Sequence, residues 1–232
     1  MKDIILFDLD NTIFDFNKAE HGALSKTLSE IGIEPKKEIM DKYSVINLAQ
    51  WKLLEQKKIT RAELKIRRYK LFFDELGVDY PPQEAAKMYE HFLGIGHYFV
   101  DGAEKMLEEL SKKYSLYLVT NGITNVQTRR IASAGLEKYF KGIFISEEIG
   151  HDKPSKEYFE YCFEHIENFS RDRAVIIGDS LSSDIQGGIN SGIQTIWFNP
   201  KKEAVNPKIP ADYEVSHLND CLLYTSDAAD EL

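Results

Sequence analysis

Ile4-Ile5-Leu6-Phe7-Asp8-Leu9-Asp10-Asn11-Thr12-Ile13-Phe14 decides how the rest of the chain is read. Four apolar residues run directly into two carboxylates one residue apart. The run is too short for an ordinary helix and has no acid in its middle, the pattern of a strand covered on both faces in a parallel sheet. The acids fall where that strand should end. In open α/β sheets the ligand crevice lies beyond the carboxyl ends of the strands. Asp8 and Asp10, with the Thr12 hydroxyl, are therefore candidates for holding a cation and acting on an anionic group beside it. A lone Asp-x-Asp also fits a solvated strand end, so its meaning depends on what else reaches that edge.

Downstream, from 17 to 97, the chain shows helical periodicity and almost no strand signal. Ala23, Leu24, Leu28 and Ile31 recur at helical spacing up to Gly32. A second helix is expected over 36–54. A third starts after Thr60, with Glu63 completing a capping box, and runs to Gly77. Pro81-Pro82 opens a fourth, which ends at Gly94 and Gly96. Residues 15–97 thus read as an inserted four-helix unit. Trp51, Phe72, Phe73 and Phe92 lie at helical spacing and are read as its core ahead of any base-stacking role. His21, with Asn17 and Glu20, is read as a solvated face. Gly94 and Gly96, with no lysine after them, suit a hinge better than a phosphate loop.

Alternation then returns. Strands are expected over 115–119, 142–146, 174–177, 194–198 and 212–215, with helices over 102–113, 125–133, 156–166 and 184–191. This order implies an α/β fold with a Rossmann-like, doubly wound parallel sheet. Residues 1–14 and 98–220 form one core, split in sequence by the helical insert at 15–97. Residues 221–232 read like a translated sequencing adapter, a non-native tail to be set aside. Cys162, between Tyr161 and Phe163, is expected to be a small buried hydrophobe.

The 232 residues, 43% of them hydrophobic, suit one folded core with an insert. No apolar run approaches the roughly 20 residues of a membrane helix, and the first residues lack a signal-peptide pattern. Two cysteines without a Cys-x-x-Cys exclude a disulfide scaffold and the usual zinc sites. A cytoplasmic protein with no membrane partner is expected. The net charge of −9 argues against a nucleic-acid polymer. A small phosphorylated metabolite remains, because a local lysine and a metal can offset a negative surface.

Three predicted strand ends carry polar residues: Asp8, Asp10 and Thr12; Thr120 and Asn121; and Asp179, followed by Asp184. A loop adds Lys153. Acids from two strand ends can converge on one hard cation. Mg²⁺ takes oxygen ligands, and only one or two carboxylates when a substrate phosphate is present; Mn²⁺ is the alternative ion. A lysine and a hydroxyl–amide pair would hold the remaining phosphate oxygens. Phosphoryl transfer is mostly positioning and charge neutralisation, so this set suffices if an Asp attacks. Taken singly, Lys153 reads as a solvated loop residue, Thr120-Asn121-Gly122 as a turn, and Asp184 as a helix cap.

Taken together, DLDNT (8–12), TNG (120–122), Lys153 in DKP and GDSLSSD (178–184) resemble the four ordered motifs of the haloacid dehalogenase (HAD) superfamily of phosphohydrolases. The insert resembles that superfamily's helical cap. The resemblance implies Asp8 as nucleophile, forming an aspartyl-phosphate, and Asp10 as the acid, then the base. It implies Mg²⁺ held by Asp8, Asp179 and the backbone carbonyl of Asp10. Thr120, the backbone near Asn121, and Lys153 would bind the phosphoryl oxygens. Asp184 would sit behind, ligating through water or orienting Lys153. Dehalogenases of the superfamily lack the second acid, so Asp10 points to a phosphatase.

FDFN (14–17), TNGITNVQTRRIASAGLEKYF (120–140), ISEEIGHDKPSKEYF (145–159) and GDSLSSDIQGGINSGIQTIWFN (178–199) resemble more narrowly the pyrimidine 5′-nucleotidases. These act on nucleoside monophosphates, noncanonical ones included. Asp101-Gly102 and His151 depart from that branch's usual Pro-Gly and small apolar residue, and neither touches the chemistry. A sugar-phosphate or phosphoglycolate phosphatase, or a phosphosugar mutase, is the alternative substrate reading. A catalytically idle binding domain of the same fold is the alternative of another class. The pattern leaves the oligomeric state open.

Overall fold

A computed structural model describes residues 2–221. Its centre is β1 (Ile4–Phe7), with all four side chains buried. The other strands are β2 (Ser115–Thr120), β3 (Gly142–Ile145), β4 (Ala174–Gly178), β5 (Gln194–Phe198) and β6 (Tyr213–Val215). They form one sheet in the order β3-β2-β1-β4-β5-β6, parallel throughout. Phe7 is in register with Leu118 and Ile177, so Asp8 leaves the end of β1 between the last residues of β2 and β4. The chain builds outward from β1 through β2 to β3, then returns to β1's other side with β4. The switch point therefore lies between β1 and β4, beyond whose ends a ligand crevice forms.

Side chains of β1 alternate between the two faces, as the pleat requires. Ile5 and Phe7 pack with Met106, Leu107 and Ile131 in one core layer. Ile4 and Leu6 pack with Phe159, Cys162 and Phe163 in the other. Both layers are dry, which is why the strand needs no polar alternation.

The helical insert comprises α1 (Phe16–Glu30), α2 (Lys37–Glu55), α3 (Arg61–Leu76) and α4 (Pro82–Leu93). It has its own core, in which Leu24, Tyr43, Tyr69, Phe72 and Tyr89 are fully buried. At α3, Thr60 accepts from Glu63 N while Glu63 accepts from Thr60 N, closing the expected capping box. The two linkers to the sheet run side by side: Phe14 bridges to Phe99, and Asp15 N donates to Tyr98 O at 2.7 Å.

Helices α5 (Ala103–Ser111), α6 (Thr124–Ala134), a single-turn α7 (Ser146–Ile149), α8 (Lys156–Glu164) and α9 (Gln186–Ser191) complete the core. One boundary differs from the sequence reading. Residues 181–185 form a wide π-type turn, and the α-helix begins only at Gln186. Asp184 thus sits inside the turn and does not open the helix. Its carboxylate is drawn to Ser180 N and Lys153, and π turns of this kind recur at functional sites. Among the described residues no helix is long and apolar enough to cross a membrane. Of the tail 221–232, only Cys221 is described. It is buried in the first core layer, and the rest lies outside the described residues.

Candidate active site

The site is built at the carboxyl ends of β1, β2 and β4. Asp8 follows β1 directly, and its N–H donates to Ile177 O at 2.9 Å, so it is still held by the sheet. The chain then turns sharply. Ile13 N and Phe14 N both donate to Leu9 O, at 2.9 and 2.8 Å. Asn11 supplies the left-handed residue this requires (φ 63°), a conformation that asparagine tolerates. The turn buries Thr12, whose Oγ1 accepts from Asp179 N at 3.1 Å and ties the first acid loop to the loop after β4.

Lys153 lies at the centre of the cluster and is almost wholly buried. Its Nζ donates to Asp8 Oδ1 (2.7 Å), Asp184 Oδ1 (2.7 Å) and Val119 O (2.8 Å). These three bonds use all the donors of an ammonium. Asn121 fixes the lysine's backbone from both sides: its Nδ2 donates to Lys153 O and its Oδ1 accepts from Lys153 N, each at 2.8 Å. Gly178 makes room for Asp184, since a Cβ there would stand 2.3 Å from Asp184 Oδ2.

One oxygen from each of Asp8, Asp179 and Asp184 lies within 4.8 Å of the others. Burial pushes the Asp8 carboxyl up to about 7; Lys153 opposes this and Asp184 adds to it. Burial, then the charges of Asp8 and Asp184, hold Asp179 well above the usual carboxylate range. Burial works against the charge of Lys153, but Asp184 and Asp8 outweigh it and raise its pKa. Three carboxylates thus face one ammonium, an all-oxygen donor set suited to a hard divalent cation.

Asp10 is turned elsewhere. Its Oδ1 accepts from Arg130 NH1 at 2.6 Å and its Oδ2 from Gln127 Nε2 at 2.8 Å. Gln127 Nε2 also donates to Thr120 Oγ1 at 2.9 Å. Arg130 is fully buried, and its guanidinium lies 5.1 Å from the Phe14 ring centroid and 5.9 Å from that of Phe16. Its Nε donates to Gly96 O at 2.8 Å. One side chain therefore touches Asp10 and both linkers of the insert.

A cavity of about 270 Å³ separates these groups from the insert. Asp8, Lys153 and Asp179 line its floor, and Phe16, Trp51, Glu55, Arg68 and Leu93 its upper wall. The insert is tied down at the rim. Arg61 donates to Gly122 O (3.2 Å), Ser146 Oγ (2.7 Å) and Asp152, Lys65 pairs with Glu147 (2.8 Å), and Ser182 Oγ donates to Glu55 (3.3 Å).

All eight residues singled out from the sequence meet here: Asp8, Asp10, Thr12, Thr120, Asn121, Lys153, Asp179 and Asp184. Two readings of the insert need correction. Trp51 lines the cavity and is not insert core, whereas Phe72 and Phe73 are buried as expected. Glu20 is not solvated: it is buried, accepting from Ser44 Oγ and Asn47 Nδ2 at 2.7 Å each. His21 remains exposed, beside Tyr98. Gln127, Arg130, Arg61 and Arg68 were not singled out from the sequence. The spacing of Gln127 and Arg130, three apart on the helix that leaves the TNG loop, is a local signal for a shared face toward the site.

The chain belongs to the haloacid dehalogenase-like hydrolases, whose family model matches residues 5–198. It is 40% identical over 219 residues to the pyrimidine 5′-nucleotidase PynA of Streptococcus pneumoniae, covering 94% of this chain and 92% of that protein. It is 30% identical over 221 residues to the pyrimidine 5′-nucleotidase YjjG of Escherichia coli, covering 94% and 95%. The crystal structure of the HAD-hydrolase YfnB of Bacillus subtilis, bound to magnesium and revealing interdomain movement, has a TM-score of 0.93 to this chain. It shares 37% identity and covers 97% of this chain and 99% of YfnB.

Proposed function

We propose that the protein is a Mg²⁺-dependent phosphomonoesterase that attacks its substrate with Asp8, and that its substrates are pyrimidine nucleoside 5′-monophosphates. The observation that carries this reading is the convergence of the Asp8, Asp179 and Asp184 carboxylates beside a cavity, with Asp8 and Asp184 held by one buried ammonium. The 5′-nucleotidase relatives support the substrate class. Residues 15–97 serve as a cap over the cavity, hinged where the paired linkers meet.

Asp8 forms a bond from a carboxylate oxygen to phosphorus, and the ester P–O bond breaks. Asp10 gives its proton to the departing alcohol oxygen. Asp10 then takes a proton from water as the water oxygen attacks phosphorus and the Asp8–phosphorus bond breaks. Phosphate leaves, and Asp8 is again a carboxylate. Lys153 turns the donor it gives Asp8 to a phosphoryl oxygen, Thr120 donates its hydroxyl proton to another, and Asp184 holds Lys153 in place. Asp8, Asp179 and the backbone carbonyl of Asp10 would hold Mg²⁺, and Mn²⁺ would use the same oxygens. The ion supplies positive charge against the phosphoryl oxygens. A cytoplasmic setting suits such a substrate.

Phosphate release from UMP, dUMP, dTMP, ribose 5-phosphate and p-nitrophenyl phosphate, with and without EDTA, tests the reading. The nucleotides should be preferred, EDTA should stop release, and Asp8→Asn should abolish it. Turnover retained in Asp8→Asn overturns the nucleophile. A preference for ribose 5-phosphate favours a sugar-phosphate phosphatase, and no release from any ester favours an idle binding domain.

A further inference from the structure

Arg68, on α3, is the one cavity-lining cation contributed by the insert among the described residues. Only 1% of it is exposed, so it is a buried charge, and such groups are normally hydrogen-bonded throughout. Here that is not so. NH1 donates to Asn47 Oδ1 at 3.2 Å, but neither Nε nor NH2 has a hydrogen-bond partner. NH2 is 3.8 Å from Glu90 Oε1, within reach of its charge but too far for a hydrogen bond. The guanidinium is braced over the rings of Tyr89 (4.8 Å) and Tyr69 (5.6 Å). Asn47 is itself oriented: its Nδ2 donates to buried Glu20, which also accepts from Ser44. The fork of Arg68 is thus fixed in place, with Nε and NH2 enclosed and unpaired at the edge of the cavity that Arg68 lines.

We propose that Arg68 reads a carbonyl oxygen of the substrate's base, an assignment that rests on the nucleotidase reading of this site. The phosphate belongs on the cavity floor, at Asp8 and Lys153, and Arg68 stands on the opposite wall. The part of a nucleotide that reaches it is the ring edge farthest from the phosphate, where uracil carries its 4-oxygen. The walls suit a flat ring, since Trp51, Phe16 and Leu93 line the same cavity. A neutral acceptor fits better than a second anion. Glu90 already lies near the guanidinium, and Glu55 also lines the cavity and would repel an anion. Arg68 is a specificity-determining residue here: it offers a donor to the base and takes no part in the transfer itself.

The test uses the intact protein with Mg²⁺. Its probes are UMP, the 2-pyrimidinone ribonucleotide, which lacks the 4-oxygen and with it the N3 proton, and ribose 5-phosphate, which lacks the base. In the wild type, deletion of the oxygen should lower kcat/KM by about 10- to 100-fold, the range for losing a hydrogen bond to a charged donor. In Arg68→Met the ratio of kcat/KM for UMP to that for ribose 5-phosphate should fall by about the same factor. Deleting the oxygen should then cost that variant little, because the interacting pair is already broken. Equal rates for the two nucleotides in the wild type overturn the assignment, and this arm needs no variant to fold. An unchanged UMP to ribose 5-phosphate ratio in Arg68→Met also overturns it. Wild-type turnover of ribose 5-phosphate with neither nucleotide hydrolysed refutes the nucleotidase reading, and the Arg68 assignment with it.

Discussion

Replacing Lys153 by Met tests the site as one electrostatic unit. The methionine keeps the length of the buried stem and removes the charge. It deletes three hydrogen bonds of 2.7–2.8 Å, to Asp8, Asp184 and Val119 O. What remains is a buried carboxylate cluster without the ammonium that bonded Asp8 and Asp184. Removing one partner of a buried ion pair costs about 3–5 kcal/mol, against a total of roughly 5–15 kcal/mol for a folded domain. In a chain of this size each kcal/mol lowers Tm by about 2–4 °C, so a loss of roughly 6–20 °C is expected.

The assay is thermal unfolding in EDTA at pH 5 and pH 8. The loss should be smaller at pH 5. Asp8 is already pushed up to about 7 with Lys153 beside it, and without that attraction it titrates higher still, so at pH 5 it sheds its charge by taking a proton. With Mg²⁺ present, kcat should also fall by about 10²–10³-fold, the usual cost of losing one preorganised donor to transition-state charge. A Tm within about 2 °C of wild type at pH 8 would refute the claim that these carboxylates depend on Lys153.

Three further outcomes are expected. In wild-type protein stripped of metal, Asp8 binds a proton more tightly when folded (about 7) than at its ordinary value of 3.8. Stability should therefore fall as pH rises across that window, and Mg²⁺ should raise Tm more at pH 8 than at pH 5; an equal shift at both values contradicts this. Arg61→Ala removes the donor to Gly122 O, Ser146 and Asp152 that ties α3 to the core. KM for UMP should rise about tenfold, the range for a hydrogen bond to a charged group, with faster hydrogen exchange at the rim. Unchanged KM and exchange would show that this tether does not hold the cap. Arg130→Met should lower kcat/KM for UMP by about 100-fold, the low end of the usual contribution of a general acid. p-Nitrophenyl phosphate has a leaving group that needs no proton, so its kcat/KM, which does not include the later hydrolysis step, should fall far less; equal losses in kcat/KM would show that Arg130 does not act through Asp10 in that step.

Much of this architecture was legible in the sequence because it is local. Ile4 to Phe7 reads as a buried strand since both neighbouring layers are dry, and an unbroken apolar run is the direct consequence. Thr60 and Glu63 announce α3 because a capping box is complete within four residues. What the sequence conceals is set by packing between distant segments. Glu20 looks like part of a solvated helix face until α2 brings Ser44 and Asn47 against it. Trp51 looks like insert core until the insert is laid over the sheet, where its ring becomes a wall of the cavity. Asp184 looks like a helix cap because it opens the predicted helix over 184–191. The ion pair that gives it another role is with Lys153, 31 residues away.

The same distinction bears on the two acids that open the chain. Asp8 is placed by its own strand and by the lysine beside it, so its position follows from the motif. Asp10 leaves the strand, and its carboxylate is oriented by Arg130, 120 residues away. That arginine also lies against Phe14 and Phe16 at the entry to the insert and bonds Gly96 at its exit. On the mechanism proposed above, the attacking carboxylate is positioned by the sheet and Lys153, whereas the proton-moving carboxylate is aimed by an arginine packed against both linkers of the insert. A movement of the insert that shifted those linkers and Arg130 with them would act on Asp10 and leave Asp8 in place.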